Sequence, residues 1–201
     1  LIELGLENEV FLSFLPLSHS YEHMAGQFFP RTIGAEIYYA QGAETLAANM
    51  LDARPTIMTA VPRLYETLHQ RITLGVRKAG GLKEKMFNAA LDLGARRHRD
   101  PGGLGPVDAI MDAVLDKLVR DKVRARFGGR LKALVSGGAP LNPDIGLFFT
   151  ALGLRILQGY GQTETSPSVS VNTPGDMKLH TVGPPLKGVE VRIAEDGEIL
   201  V

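Results

Sequence analysis

The chain has no cysteine at all. That excludes disulfides, thiolate metal sites and a cysteine nucleophile, and it fits a reducing compartment, with the cytoplasm as the default. It also has no excess of either charge, because 22 Lys and Arg are balanced by 22 Asp and Glu. No overall field therefore draws it to nucleic acid or to an anionic membrane surface, and a small molecule is the expected partner. No run approaches the roughly 18 apolar residues that a membrane-spanning helix needs, and no basic stretch followed by an apolar one opens the sequence. Internal repeats and low-complexity tracts are absent too. What is present is 201 residues, 44% of them hydrophobic, which suits a globular protein with one sizeable core. The chain opens on Leu1 and closes on the strand-like "GEILV" with no cap, so a segment of a longer protein is expected.

Short β-rich runs alternate with helical stretches. "VFLSFLP" (10–16), "EIYYA" (36–40), "TIMTA" (56–60), "LKALVS" (131–136) and "LRILQ" (154–158) carry the β-branched or bulky residues of buried strands. Asn142-Pro143-Asp144 supplies an N-cap, a proline at the first helical position and an early acid, with the helix ending at Gly153. "PRLYETLHQRI" and "LKEKMFNAALDLGARR" predict two further helices. From Val107, the residues Ile110, Met111, Val114, Leu115, Leu118 and Val119 follow the three-and-four spacing of an amphipathic helix. The pattern predicts an α/β fold, a parallel sheet covered by helices on both faces. Residues 1–165 form the α/β unit with a helical insertion over 62–127, and 166–201 start a β-rich subdomain with a turn at Glu195-Asp196-Gly197.

Two loops could carry chemistry. Ser136-Gly137-Gly138-Ala139 follows a buried strand and precedes the capped helix, where glycines let a flat ligand approach the backbone. Read alone, the same four residues serve equally well as a tight strand-to-helix turn. In "GYGQTET", Tyr160 stands between Gly159 and Gly161, so its ring could lie on a planar group such as adenine. The Thr163 hydroxyl can donate to a phosphate oxygen, and Glu164 is a hard oxygen ligand suited to Mg²⁺. A polar turn with no ligand remains the plain alternative.

These residues resemble the adenylate-forming superfamily: acyl-CoA synthetases, luciferases and peptide-synthetase adenylation domains. "GYGQTETSP" is similar to its nucleotide motif, "FLPLSHSYE" to its strand-to-helix motif near the acid, "LVSGGAPL" to its adenine-edge loop, and "GEILV" to the strand that follows. "VPRLYETLHQRI" with its long helical insertion resembles the long-chain fatty acyl-CoA synthetases. The resemblance implies that Tyr160 stacks on adenine while Gly137, Gly138 and Ala139 line its edge, with Gly159 and Gly161 beside them. It implies that Thr163 contacts the α-phosphate, that Glu164 binds Mg²⁺, and that His19 sits beside the carboxylate. The acyl group would meet His19, Tyr21, Gly138 and Gly161, with Tyr21 and Glu22 the weaker candidates, and the catalytic set would be Thr163, Glu164 and His19. His23, His69, His98 and His180 are read as surface or structural residues.

The reaction implied joins a fatty acid to coenzyme A at the expense of ATP, through acyl-AMP, in an apolar tunnel that sets chain length. The family's Pro-Lys-Gly phosphate loop would lie before Leu1, and its ribose-binding aspartate and catalytic lysine beyond Val201, so this piece alone is expected to be inactive. The resemblance leaves room for peripheral membrane contact by the whole protein. Other readings stay open: a medium-chain, aryl or amino-acid ligase of the same superfamily, or a noncatalytic adenine-nucleotide-binding module.

Overall fold

The computed structural model describes residues 4–201; the first three residues of the expected α/β unit lie outside the described residues. A six-stranded sheet forms the centre, in the order β2-β1-β3-β4-β5-β6. Its strands are β1 (Val10–Ser13), β2 (Glu36–Tyr39), β3 (Ile57–Ala60), β4 (Ala133–Ser136), β5 (Ile156–Gly161) and β6 (Ser168–Val171). The first five pair in parallel and β6 runs antiparallel against β5. Every residue of β1 and of β3 is buried. Strands covered on both faces read as continuous apolar runs, which is why the sequence predicts them. β2 is an edge strand with Tyr38 and Tyr39 exposed.

The helices are α1 (Phe29–Thr32), α2 (Leu46–Ala53), α3 (Pro62–Ala79), α4 (Gly81–Arg99), α5 (Pro106–Leu115), α6 (Asp121–Arg126) and α7 (Pro143–Ala151). A π-helical stretch, Glu22–Phe28, precedes α1 and another, Asp116–Arg120, joins α5 to α6. The core gathers Leu12, Met58, Leu134 and Ile156 from the strands with Tyr65 of α3 and Phe149 of α7. Asn142 caps α7 as its sequence predicts, its Oδ1 accepting the Asp144 N–H at 2.8 Å. β7 (Arg192–Ile193) and β8 (Ile199–Leu200) form a separate antiparallel pair around the turn at Glu195-Asp196-Gly197, whereas Ser168–Val171 belongs to the main sheet. Among the described residues, no helix is long and apolar enough to cross a membrane.

One helix faces the opposite way from its apolar pattern. Val107, Ile110, Met111, Val114 and Leu118 are all exposed, while Asp112 and Arg120 are buried beside Leu115. The cause is the Arg120 guanidinium, which is wholly enclosed. It donates to Ala151 O at 2.7 Å, to Ala90 O and Asp112 Oδ1 at 2.6 Å each, and to Asp112 O at 3.2 Å. Arg97 holds the other Asp112 oxygen at 2.6 Å. A buried ion pair with four hydrogen bonds from the guanidinium thus fixes α4, α5 and α7 to one another and turns the apolar stripe of α5 outward.

Candidate functional site

In a parallel sheet the loops leaving the carboxyl ends of adjacent strands form one crevice. Here β1 leads into the His19 segment, β4 into the glycine loop, and β5, which ends with Tyr160 and Gly161, into the Thr163 turn. Ser136 is paired with Gln158, so Gly137–Ala139, just past the end of β4, run beside Gly159–Gly161, the last residues of β5.

A cavity of about 800 Å³ opens beside these loops. It is lined by His19, Ser20, Gln27, Phe28 and Thr163 among others, with His23, Arg31 and Tyr39 completing the outer wall. The Ser20 and Thr163 hydroxyls lie 3.2 Å apart, joining two motifs separated by 143 positions. His19 Nδ1 accepts the backbone N–H of Tyr21 at 3.2 Å. With that lone pair occupied, the ring carries its proton on Nε2 as a donor. Thr163, Glu164 and Thr165 form a single 3-10 turn, closed by Gln162 N–H donating to Thr165 Oγ1 at 3.0 Å. Glu164 is exposed on that turn. The half-buried Tyr160 has its hydroxyl anchored by Gln162 Nε2 at 3.1 Å.

The structure therefore brings His19 and Thr163 to one cavity and sets Glu164 one residue away. Tyr21 goes elsewhere. Its hydroxyl donates to Val135 O at 2.9 Å and its ring fills the space where a Cβ on Gly137 would stand, 3.1 Å from the ring. Burial, and after it the Glu22 carboxyl, raise the Tyr21 pKa, so the phenol stays protonated in this contact. Tyr21 is not part of the cavity lining; it props the glycine loop against the start of the π-helical stretch. Gly138 takes φ +82°, a left-handed conformation that glycine adopts without strain, and Gly138 and Ala139 are exposed.

The glycines flanking Tyr160 also have a packing cause of their own. A Cβ on Gly161 would lie 1.6 Å from Pro167 O, and one on Gly159 would lie 2.9 Å from Ser170 O. Both are required by the close return of β6 over β5, where the register slips between Tyr160 and Gly161.

Sequence reasoning missed His23, Gln27 and Arg31 as cavity residues. Their signal was present: His19, His23, Gln27 and Arg31 recur at every fourth position, the spacing of one helix face. His23 also meets Phe28 edge to face at 4.8 Å, and His69 meets Phe148 in the same way at 4.4 Å. His98 and His180 line a second cavity of about 540 Å³ at the N-terminal end of α7. No group of three or more His, Cys, Asp or Glu is placed to hold a metal among the described residues. Glu164 alone fits Mg²⁺ only as the ion is held beside phosphates, where one carboxylate suffices because the nucleotide supplies the other oxygens.

The chain is 36% identical to the long-chain-fatty-acid–CoA ligase FadD15 of Mycobacterium bovis, over 97% of its own length and 32% of the relative's. It is 34% identical to the peroxisomal long chain acyl-CoA synthetase 6 of Arabidopsis thaliana, over 96% of the chain and 26% of that protein. It thus spans about a third or less of the curated relatives it matches. A benzoate CoA ligase from Burkholderia xenovorans superposes with TM-score 0.61 at 25% identity, over 98% of this chain and 32% of that one. The o-succinylbenzoate CoA synthetase of Bacillus subtilis, solved with its acyl-adenylate intermediate, has the same TM-score at 18% identity, over 100% of this chain and 31% of that one, and so shares the fold. The family described as AMP-binding enzyme matches residues 2–200, essentially the whole chain, and the chain belongs to that family of adenylate-forming enzymes.

Proposed function

We propose that this chain is the acid- and nucleotide-binding part of a cytoplasmic, AMP-forming long-chain fatty-acid–CoA ligase. The observation that carries the reading is the 3.2 Å approach of Ser20 to Thr163 at the rim of an 800 Å³ cavity that His19 also lines. Donors for a carboxylate and a phosphate meet there, and the space beyond could take an alkyl chain. The FadD15 and Arabidopsis relatives are named for the same activity.

In the first step a carboxylate oxygen attacks the α-phosphorus of ATP; the new C–O–P linkage forms as the bond to pyrophosphate breaks. The carboxylate is already a nucleophile, so the chain supplies positioning and charge stabilisation. His19 Nε2–H orients the carboxylate, and the Thr163 hydroxyl donates to an α-phosphate oxygen. Tyr160 offers its ring to adenine beside Gly138 and Ala139. Glu164 would hold Mg²⁺ together with the phosphate oxygens, and the ion, when bound, offsets their charge. In the second step the coenzyme A sulfur attacks the acyl carbon, the mixed-anhydride C–O bond breaks and AMP leaves, with the thiol proton passing to solvent.

The test is AMP release by the intact protein with ATP, coenzyme A and, in parallel, palmitate, octanoate, benzoate and amino acids. Palmitate should turn over fastest, and Glu164→Ala should lower kcat by roughly 10²-fold or more. Preference for benzoate or an amino acid would reassign the substrate, and nucleotide binding with no turnover of any acid would reject the ligase reading.

A further inference from the structure

One buried carboxylate has no cationic partner among the described residues. Glu22 is 0% exposed and stands inside the π-helical stretch rather than in the cavity. Its Oε1 accepts the Ser13 hydroxyl and its Oε2 the Thr59 hydroxyl, each at 2.6 Å. Ser13 closes β1 and Thr59 lies in β3, so one side chain ties the stretch to two adjacent strands. Gly26, one turn on, lies so close that a Cβ there would be 2.2 Å from Glu22 Oε1.

The bonds continue towards the cavity. Gln27 Nε2 donates to Ser13 Oγ at 3.0 Å, and Gln27 Oε1 accepts the Tyr39 hydroxyl at 2.8 Å. Gln27 and Tyr39 both line the cavity. Gln27 and Tyr39 thus direct hydrogen bonds to one another and to Ser13 at the edge of the cavity. π-Helical turns are uncommon and cost hydrogen-bond geometry, and they recur where a side chain must be aimed. An unpaired buried acid also costs free energy unless hydrogen bonds satisfy it, and an apolar residue would fill the space more cheaply.

We propose that Glu22 is a positioning residue for acid binding: by holding the π-helical stretch to Ser13 and Thr59, it sets where His19, Gln27 and Tyr39 stand around the acyl chain. This rests on the ligase reading above and extends it to a residue that touches no substrate. Burial raises the Glu22 pKa, while the bonds from Ser13, Thr59 and the Phe14 backbone lower it; burial dominates. The shift favours the neutral form relative to a free carboxyl, and an amide, isosteric and uncharged, is the conservative replacement.

The experiment compares the intact protein with Glu22→Leu, Glu22→Gln and Tyr39→Phe. It measures equilibrium binding of a fluorescent long-chain fatty acid, separate binding of ATP, and the unfolding midpoint. Glu22→Leu should weaken fatty-acid binding about tenfold, the equivalent of one buried charged hydrogen bond, and leave ATP affinity within about twofold. Glu22→Gln should recover most of that loss, and Tyr39→Phe should weaken the acid about threefold. In turnover, KM for the acid should rise while kcat changes less. Unchanged fatty-acid affinity in folded Glu22→Leu would overturn the proposal, as would an equal loss of both ligands or a Gln variant as poor as the Leu one. Should Glu22→Leu not fold, unaltered binding by Tyr39→Phe overturns it instead. A parent protein that binds no fatty acid rejects the ligase reading itself, whereas a parent that binds it with all variants unchanged rejects only the role of Glu22.

Discussion

Replacing Gly161 by alanine separates two explanations for the glycines around Tyr160. If they serve ligand approach, Gly161→Ala should fold normally and lose nucleotide. The geometry says otherwise, because the added Cβ would lie 1.6 Å from Pro167 O, 2.6 Å from its carbonyl carbon and 3.0 Å from Ser168 Cα. All three are backbone atoms that cannot swing aside, so β5 and β6 must part by about an ångström or more, since overpacked groups move until contacts are ordinary. The pairs Gly159 with Val171, Tyr160 with Ser170 and Gly161 with Ser168 all lie within that reach. Overpacking costs about 1–3 kcal/mol, and one weakened ladder hydrogen bond adds about 1 kcal/mol. The lower entropy of the unfolded alanine chain returns about 0.4–1 kcal/mol. The net expectation is a loss of roughly 1–3.5 kcal/mol, or about 2–14 °C in Tm for a chain of this size. Thermal or urea unfolding without nucleotide reads it directly. Gly138→Ala is the control: its Cβ would meet only Val61 Cγ1 at 3.6 Å, leaving the left-handed backbone as the sole penalty, about 1 kcal/mol. A Gly161→Ala protein that melts with the parent would refute the reasoning.

Arg120→Met should cost about 3–5 kcal/mol, since it leaves Asp112 Oδ1, Ala90 O and Ala151 O buried without their donor, with Arg97 holding only the other Asp112 oxygen. Adding Asp112→Leu should recover more than half of that loss in urea unfolding, and a purely additive double variant would contradict the network. Asn142→Ala removes the cap on Asp144 N–H and should cost about 1 kcal/mol, measured in the same way. Glu22 makes stability depend on pH with a definite sign. Its folded pKa lies above its unfolded value of about 4.3, so the folded state holds the proton longer and stability falls as pH rises from there through the folded pKa. The Tm of Glu22→Gln minus that of the parent should therefore grow as pH rises above the unfolded value and level off once the folded pKa is passed, and a difference flat from about pH 4 upward would count against the buried acid. Asp116 acts at the opposite end. Hydrogen bonds from Arg124 lower its pKa, so its contribution is present above the unfolded value and is lost as pH falls through the folded one.

The parallel strands were legible because burial on both faces leaves an apolar run that little else in a sequence imitates, as "TIMTA" shows at β3. The order of those strands was not, since nothing local states that β1 lies between β2 and β3. The helix at Val107 was legible as a helix and misleading as to its face. Periodicity reports where apolar residues fall, and only the three-dimensional meeting of Arg120 with Asp112, Ala90 and Ala151 decides which face turns inward. At the site, the loops and their order were readable from "SGGA" and "GYGQTET", whereas the four-residue spacing of His19, His23, Gln27 and Arg31 was overlooked because its residue types differ.

The glycines around the site share a physical cause that a sequence cannot display. Gly26 yields to the Glu22 carboxylate, Gly137 to the Tyr21 ring, Gly159 to Ser170 O and Gly161 to Pro167 O. At Gly26, Gly159 and Gly161 the space of the missing side chain is already taken by the protein, and at Gly137 it is tightly bounded by the ring. The loops that present His19, Gly138, Tyr160 and Thr163 are thus held by close packing before any ligand arrives, which is the condition for binding energy to go into chemistry rather than into ordering loops. Substitutions at these four glycines should therefore register first in the stability of the empty protein, and only through it in substrate affinity. Gly138, whose neighbouring space is open, should depart from that order by losing nucleotide affinity at little cost in Tm when given a larger side chain.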